Sequence, residues 1–310
     1  MKKPGHMITD LFNDRIWTLD TSQSPKSYAR LVRFVKLVRI TAGSFANNNM
    51  GFQCIALSYF VLMSLIPFVG LLSAVTGGLG LGDENISEFL YRVFPANPEF
   101  VDLLAEKAVN IINQAKGGGT GLVSAIMFLW TIVWLMFQVE RVFNNAWNIR
   151  KIPRKIYKRF GFYLMVLILL PFLVVIFGAG ITYYTNLPNL FGLDLSDLRF
   201  LTKLLGYVGF YFITVLTLAA MYTFIPATKV SFRLAFKAAL VSGFAFMVFQ
   251  YLYLNTQVIL GRLSSVYGVI AAIPLFLIWL NFSWQIILYG AELTYGFHNE
   301  KIYKTQKWES

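Results

Sequence analysis

Six stretches of this chain contain no Asp, Glu, Lys or Arg: Ile40 to Gly82, Gly117 to Val139, Phe160 to Leu193, Leu204 to Thr228, Ala238 to Gly261 and Leu263 to Ala291. Each exceeds the roughly 20 apolar residues that a helix needs to cross a bilayer core. They lack the period-two alternation of a barrel strand, and a helix satisfies its own backbone groups in lipid. The chain is therefore read as all-α, a polytopic membrane protein built as a six-transmembrane-helix bundle. Spans are expected near 51–76, 121–140, 161–184, 204–226, 238–260 and 269–292. Charged residues make up 14% of the sequence, against about 25% in soluble chains.

The basic residues set the orientation. Counting alternate connections, 21 of the 27 Lys and Arg fall on one side: the N-terminal 49 residues, 138–160, 227–237 and the tail from 297. Positive loops stay in the cytoplasm, so both termini are expected inside. A formal net charge of +12 is then accounted for by topology, with no nucleic-acid partner required. The expected organisation is a basic cytoplasmic region (1–49), a membrane domain (50–297) and a cytoplasmic tail (298–310). The first 49 residues hold no apolar core of signal-peptide length before a small-residue site, so the first span is expected to serve as an uncleaved signal. The single cysteine, Cys54, excludes a disulfide within the chain.

Before the first span, "YARLVRFVKLVRITAGSF" places Arg30, Arg33, Lys36 and Arg39 every third residue among Leu and Val. This pattern predicts an interfacial amphipathic helix whose cations meet anionic lipid headgroups. Gly43 and Asn47 to Asn49 are expected to mark the bend into the first span. After that span, "PEFVDLLAEKAVNIINQA" repeats apolar residues at helical spacing and predicts an external amphipathic helix. "GGGTG" follows as a hinge, because it lacks the Lys-Ser/Thr of a phosphate-binding loop.

Polar residues inside the spans are the candidate pathway residues. Asn281, Gln285 and Glu292 lie within about 40° on one face of the sixth helix, with Trp279, Phe282 and Trp284 directed elsewhere. Gln53 and Ser64 share a face on the first span, as do Gln250, Tyr253 and Gln257 on the fifth. Such groups either hydrogen-bond helix to helix or line a water-accessible path. Glu292 is expected at the cytoplasmic boundary, about 34 Å along its helix from Val269. Arg141, Asn145 and Asn148 share a face where the second span leaves the membrane, and Arg150 follows. These four are the candidate gate partners, with Arg141 or Arg150 paired to Glu292.

The segments "ALSYFVLMSLIPFVGLLSAVTGGLG", "RVFNNAWNIRKIPRKIYKR", "YTFIPATKVSFRLAFKAALVSGFAF" and "VYGVIAAIPLFLIWLNFSWQIILYGAEL" together resemble the YihY/virulence factor BrkB family. The matching positions are Ser64, Pro67, Asn145, Trp147, Pro226, Gly243, Tyr267, Gly268, Trp279 and the Gly290-Ala291-Glu292 ending. The resemblance implies a bacterial inner-membrane protein of six helices. Members have carried a ribonuclease label, but the chain's two histidines, His6 and His298, lie at opposite ends, and no metal-ligand spacing appears. No catalytic residue, metal or cofactor is expected. The leading expectation is a carrier or lipid translocator not driven by ATP, with its path between the polar faces of spans one, five and six. The alternative is a scaffold or envelope-maintenance factor that moves nothing, and a homo-oligomer is compatible with either.

Overall fold

The computed structural model describes residues 25–78, 119–149, 199–263 and 268–299, with positions 91, 101–102, 105–106, 110, 155, 157, 159–161 and 163. Six helices are described from end to end: α1 (Lys26–Asn47), α2 (Met50–Gly78), α3 (Gly119–Ala146), α4 (Arg199–Phe224), α5 (Phe232–Leu263) and α6 (Gly268–Asn299). No strand occurs among the described residues. Among the described residues, three segments are long and apolar enough to cross a membrane: Tyr207–Phe224, Phe232–Thr256 and Pro274–Asn299. Met50–Leu65 forms a shorter apolar stretch. The expected span at 161–184 lies outside the described residues except for positions 161 and 163. In the expected external helix, residues 101–102, 105–106 and 110 are helical, and the rest lie outside.

Several helix ends extend past the uncharged runs. The run in α3 stops at Val139, yet the helix continues to Ala146; α6 continues from Ala291 to Asn299, and α5 begins at Phe232. A charged side chain ends an apolar run without ending a helix, because its backbone hydrogen bonds are unaffected; the two acids that end these runs, Glu140 and Glu292, are both buried within their helices. Breakers end helices instead. α4 stops just before Pro226, which has no N–H to donate and disfavours helical backbone in the residue before it. Pro274 lies within α6.

Helix α6 is the hub and packs against α1, α2, α3, α4 and α5. The core joins Met50, Cys54 and Leu57 of α2, Val142 and Phe143 of α3, Tyr222 of α4, Ala238 and Ala239 of α5, and Leu288 and Ala291 of α6. Small residues let these backbones approach: a Cβ on Gly243 would lie 2.9 Å from Val215 Cγ2. Large apolar side chains instead crowd the outside. Phe52, Ile55, Tyr59 and Met63 form an exposed stripe on α2, and Phe210, Phe244, Val248, Ile278 and Phe282 are exposed on the other helices. An outer surface crowded with large apolar residues, around a core that mixes large and small side chains, is an arrangement that lipid permits and water does not.

Helix α1 packs on the bundle. It docks along the end of α6, with Leu37, Ile40 and Thr41 facing Gly296. Lys36 is buried on this docked side, while Arg30 and Arg33 are exposed and Arg39 is half-buried. The expected four-cation surface set therefore loses Lys36. Gly43 also departs from expectation, lying inside α1, so that the bend falls at Asn48 and Asn49 alone.

Candidate functional site

The elbow between α1 and α2 contains Asn49 at φ 51. This left-handed conformation suits asparagine, whose short polar side chain tolerates it. Asn48 caps α1, donating its N–H to Ser44 O at 2.9 Å. Its carbonyl accepts Asn145 Nδ2 of α3 at 3.0 Å. Its side-chain Nδ2 donates to Glu292 Oε1 of α6 at 2.8 Å. One residue thus joins three helices.

Glu292 has no exposed surface. It sits two turns inside the end of α6, because the helix runs on to Asn299. Its second oxygen, Oε2, has no hydrogen-bond partner. Among the described residues no cation pairs with Glu292. Arg141 is exposed and makes no bond to Glu292, and Arg150 lies outside the described residues. One turn beyond Arg141 on the same face, the neutral Asn145 reaches the elbow, while the arginine keeps its charge solvated. Asn148 leaves α3 in the left-handed conformation at φ 54 and donates to Tyr295 Oη at 3.4 Å. Trp147 meets Tyr295 and His298 edge-on.

The ion pair at this end belongs to another acid. Glu140 of α3 is fully buried, and Arg159 meets its Oε2 through Nη2 at 2.6 Å and Nε at 2.7 Å. The guanidinium lies 4.9 Å from the Phe137 ring centre, and Phe137 packs edge-on against Tyr163. Beside it, Asn144 donates to Glu140 O at 2.9 Å and accepts the Ala227 N–H at 2.7 Å, tying α3 to the turn after α4. Sequence spacing missed this pair, since Arg159 is one of six cations between residues 150 and 159. A clue was present in Glu140 and Asn144, one helical turn apart on the segment leaving the span.

The other pathway candidates do not converge on one inward face. Gln250 Oε1 accepts the Trp279 indole N–H at 2.8 Å, and Tyr253 stacks on Trp279 at 5.5 Å. Trp279, directed away from the polar stripe of its own helix, is what unites the α5 candidates with α6. Ser64 Oγ donates to Val61 O of its own helix. Gln53 is half-buried, and the Gln257 side chain lies outside the described residues.

The α6 stripe divides. Gln285 Nε2 donates to Asn281 Oδ1 at 2.7 Å. Gln285 also lines an open groove of about 420 Å³ with Phe45, Ala46, Asn49, Gly51, Phe52 and Ile55. The amide pair therefore leads to an outward groove, whereas Glu292, two turns on, is sealed beneath α1. No cluster of His, Cys, Asp and Glu suited to a metal occurs among the described residues.

Apolar helices with inverted burial define a multi-pass helical membrane protein. Within that class, residues 41–310 match the family model described as Virulence factor BrkB, and the chain belongs to that family. It is 27% identical over 278 residues to a UPF0761 membrane protein of Pseudomonas paraeruginosa, covering 87% of this chain and 64% of that protein. The chain thus spans just under two thirds of that relative's length. UPF0761 membrane proteins of Mannheimia succiniciproducens and Pseudoalteromonas translucida are 28% and 30% identical, covering 81% and 82% of this chain and 85% and 83% of theirs. No solved structure matches.

Proposed function

We propose that the protein is a bacterial inner-membrane translocator of an amphipathic envelope lipid, not an enzyme, with six spans and both termini in the cytoplasm. The observation that carries this reading is the groove at the α1–α2 elbow. It combines apolar walls from Phe45, Phe52 and Ile55 with amides from Asn49 and Gln285, and the Gln285 amide continues to Asn281. Acyl chains can remain beside the exposed aromatic stripe of α2 while a headgroup exchanges water for amide contacts. Intramembrane polar groups on such a route lower the cost of moving a polar group through hydrocarbon. Arg30, Arg33 and Arg39 supply positive charge to gather anionic lipids, each worth about 1 kcal/mol near the surface. The route runs along the outside of α2 and α6 rather than between inward polar faces.

A second reading has its own support. The core around Met50, Phe143, Tyr222 and Leu288 is closely packed, as suits a scaffold that moves nothing. Reconstitution separates the two. Full-length protein in vesicles of mixed neutral and anionic phospholipid should speed leaflet exchange of a fluorescent phospholipid, and Gln285→Leu should slow it at least tenfold with folding unchanged. Exchange no faster than in protein-free vesicles removes the translocator reading for phospholipids and favours the scaffold.

A further inference from the structure

The carboxylate at the elbow is unbalanced in charge. Glu292 is fully buried, with only the neutral Asn48 amide on Oε1 and nothing on Oε2. The charged and titratable groups on the surrounding elements leave it so. Arg141 of α3 is exposed, and His298 of α6 is exposed against Trp147. Tyr295 accepts from Asn148, and Cys54 of α2 is a buried thiol. Lys36 is buried and Arg39 half-buried on α1, and neither is bonded to Glu292, whose polar contact is the Asn48 amide.

The backbone adds to the imbalance. Helices α1 and α3 both end here, at Asn47 and Ala146, and neither has a basic residue in its last turn. Each contributes the negative end of its dipole. Thr41 Oγ1, buried against Gly296 one turn from Glu292, is another polar oxygen without a partner. A buried carboxylate facing two helix C-termini is stable only with positive charge beside it.

We infer that the elbow binds one exchangeable monovalent cation, a proton or a sodium ion, with Glu292 Oε2 as its charged ligand. Occupied, the site lets α1 seal over α6. Emptied, it leaves an uncompensated charge that draws water under α1 and loosens the Asn48 contacts. Binding is independent of the lipid route and is measured on protein that transports nothing.

The test uses purified full-length protein in detergent, as wild type and Glu292→Gln. One arm measures retention of radioactive sodium in a choline background, and the other follows the infrared carboxyl band of a protonated glutamate as pH is raised. Sodium binding predicts about one ion per chain, lost in the variant, with an unfolding midpoint that climbs about 2–3 °C per tenfold increase in saturating sodium. Proton binding predicts a carboxyl band at neutral pH that is missing in the variant and fades on alkalinisation. Wild-type protein showing neither signal overturns the inference, as does either signal persisting unchanged in Glu292→Gln. Should that variant fail to accumulate, Glu292→Asp keeps the charge but shortens its reach and should weaken the measured binding about tenfold; unchanged binding overturns the assignment to Glu292.

Discussion

Tyr222, Ser242 and Gly290 bring α4, α5 and α6 together at one point. The tyrosine hydroxyl lies 2.9 Å from Ser242 Oγ, and a Cβ on Gly290 would overlap that hydroxyl and fall 2.7 Å from Ser242 Oγ. Tyr222 is fully buried and has no room to retreat. Gly290→Ala should therefore destabilise the bundle by about 1–3 kcal/mol through overpacking, read as a lower unfolding midpoint in detergent; an unchanged midpoint refutes the tight contact. The Glu140–Arg159 pair has a different signature. Arg159→Gln strands a buried carboxylate and should cost about 3–5 kcal/mol, whereas the Glu140→Gln and Arg159→Gln double variant should recover much of the loss. Additive losses around that cycle would show that the two side chains are not coupled.

At the level of elements, the α1–α2 elbow was legible in the Asn47 to Asn49 run because asparagine tolerates left-handed backbone. Gly43 was misleading, since a lone glycine costs a helix only about 1 kcal/mol. The polar stripe of α6 was legible as a face but not in its surroundings. Periodicity places Asn281, Gln285 and Glu292 on one side of a cylinder; α1 covers that side only over the last turns, where Phe45 meets Tyr289 and Asn48 meets Glu292. Gln285 lies beyond that cover and opens to the groove. The Glu140–Arg159 pair stayed hidden because it depends on how the chain turns after α3. The elbow itself can be tested at Asn49. Asn49→Gly should be tolerated, while Asn49→Val should cost about 1–2 kcal/mol at φ 51 and expose the junction to limited proteolysis. Equal protease resistance in the two variants would mean that the positive φ does not hold the elbow.

For the whole molecule, the described helices constrain the topology beyond what charge counting does. The elbow of α1, the end of α3, the turn after α4 and the last turns of α6 are tied at one end, through Asn48 to Asn145 and Glu292 and through Asn144 to Ala227. Helix α4 has 26 residues, about 39 Å at 1.5 Å per residue, long enough for its start at Arg199 and its end to reach opposite sides of a bilayer core. The chain leaves α3 at the end where α4 finishes, tied there through Asn144 and Ala227, which agrees with the crossing expected between α3 and Arg199. The uncharged run Phe160 to Leu193 is long enough to make that crossing. The proposed six crossings, with both termini on the basic side, agree with the distribution of Lys and Arg. In a Cys54→Ser background, a membrane-impermeant thiol reagent on intact cells should label Glu88→Cys. It should reach Ser231→Cys and Thr305→Cys only after permeabilisation. Labelling of Thr305→Cys from outside would require an odd number of crossings and would separate the tail from the α1 elbow; a silent Glu88→Cys that reacts only in permeabilised cells would invert the orientation.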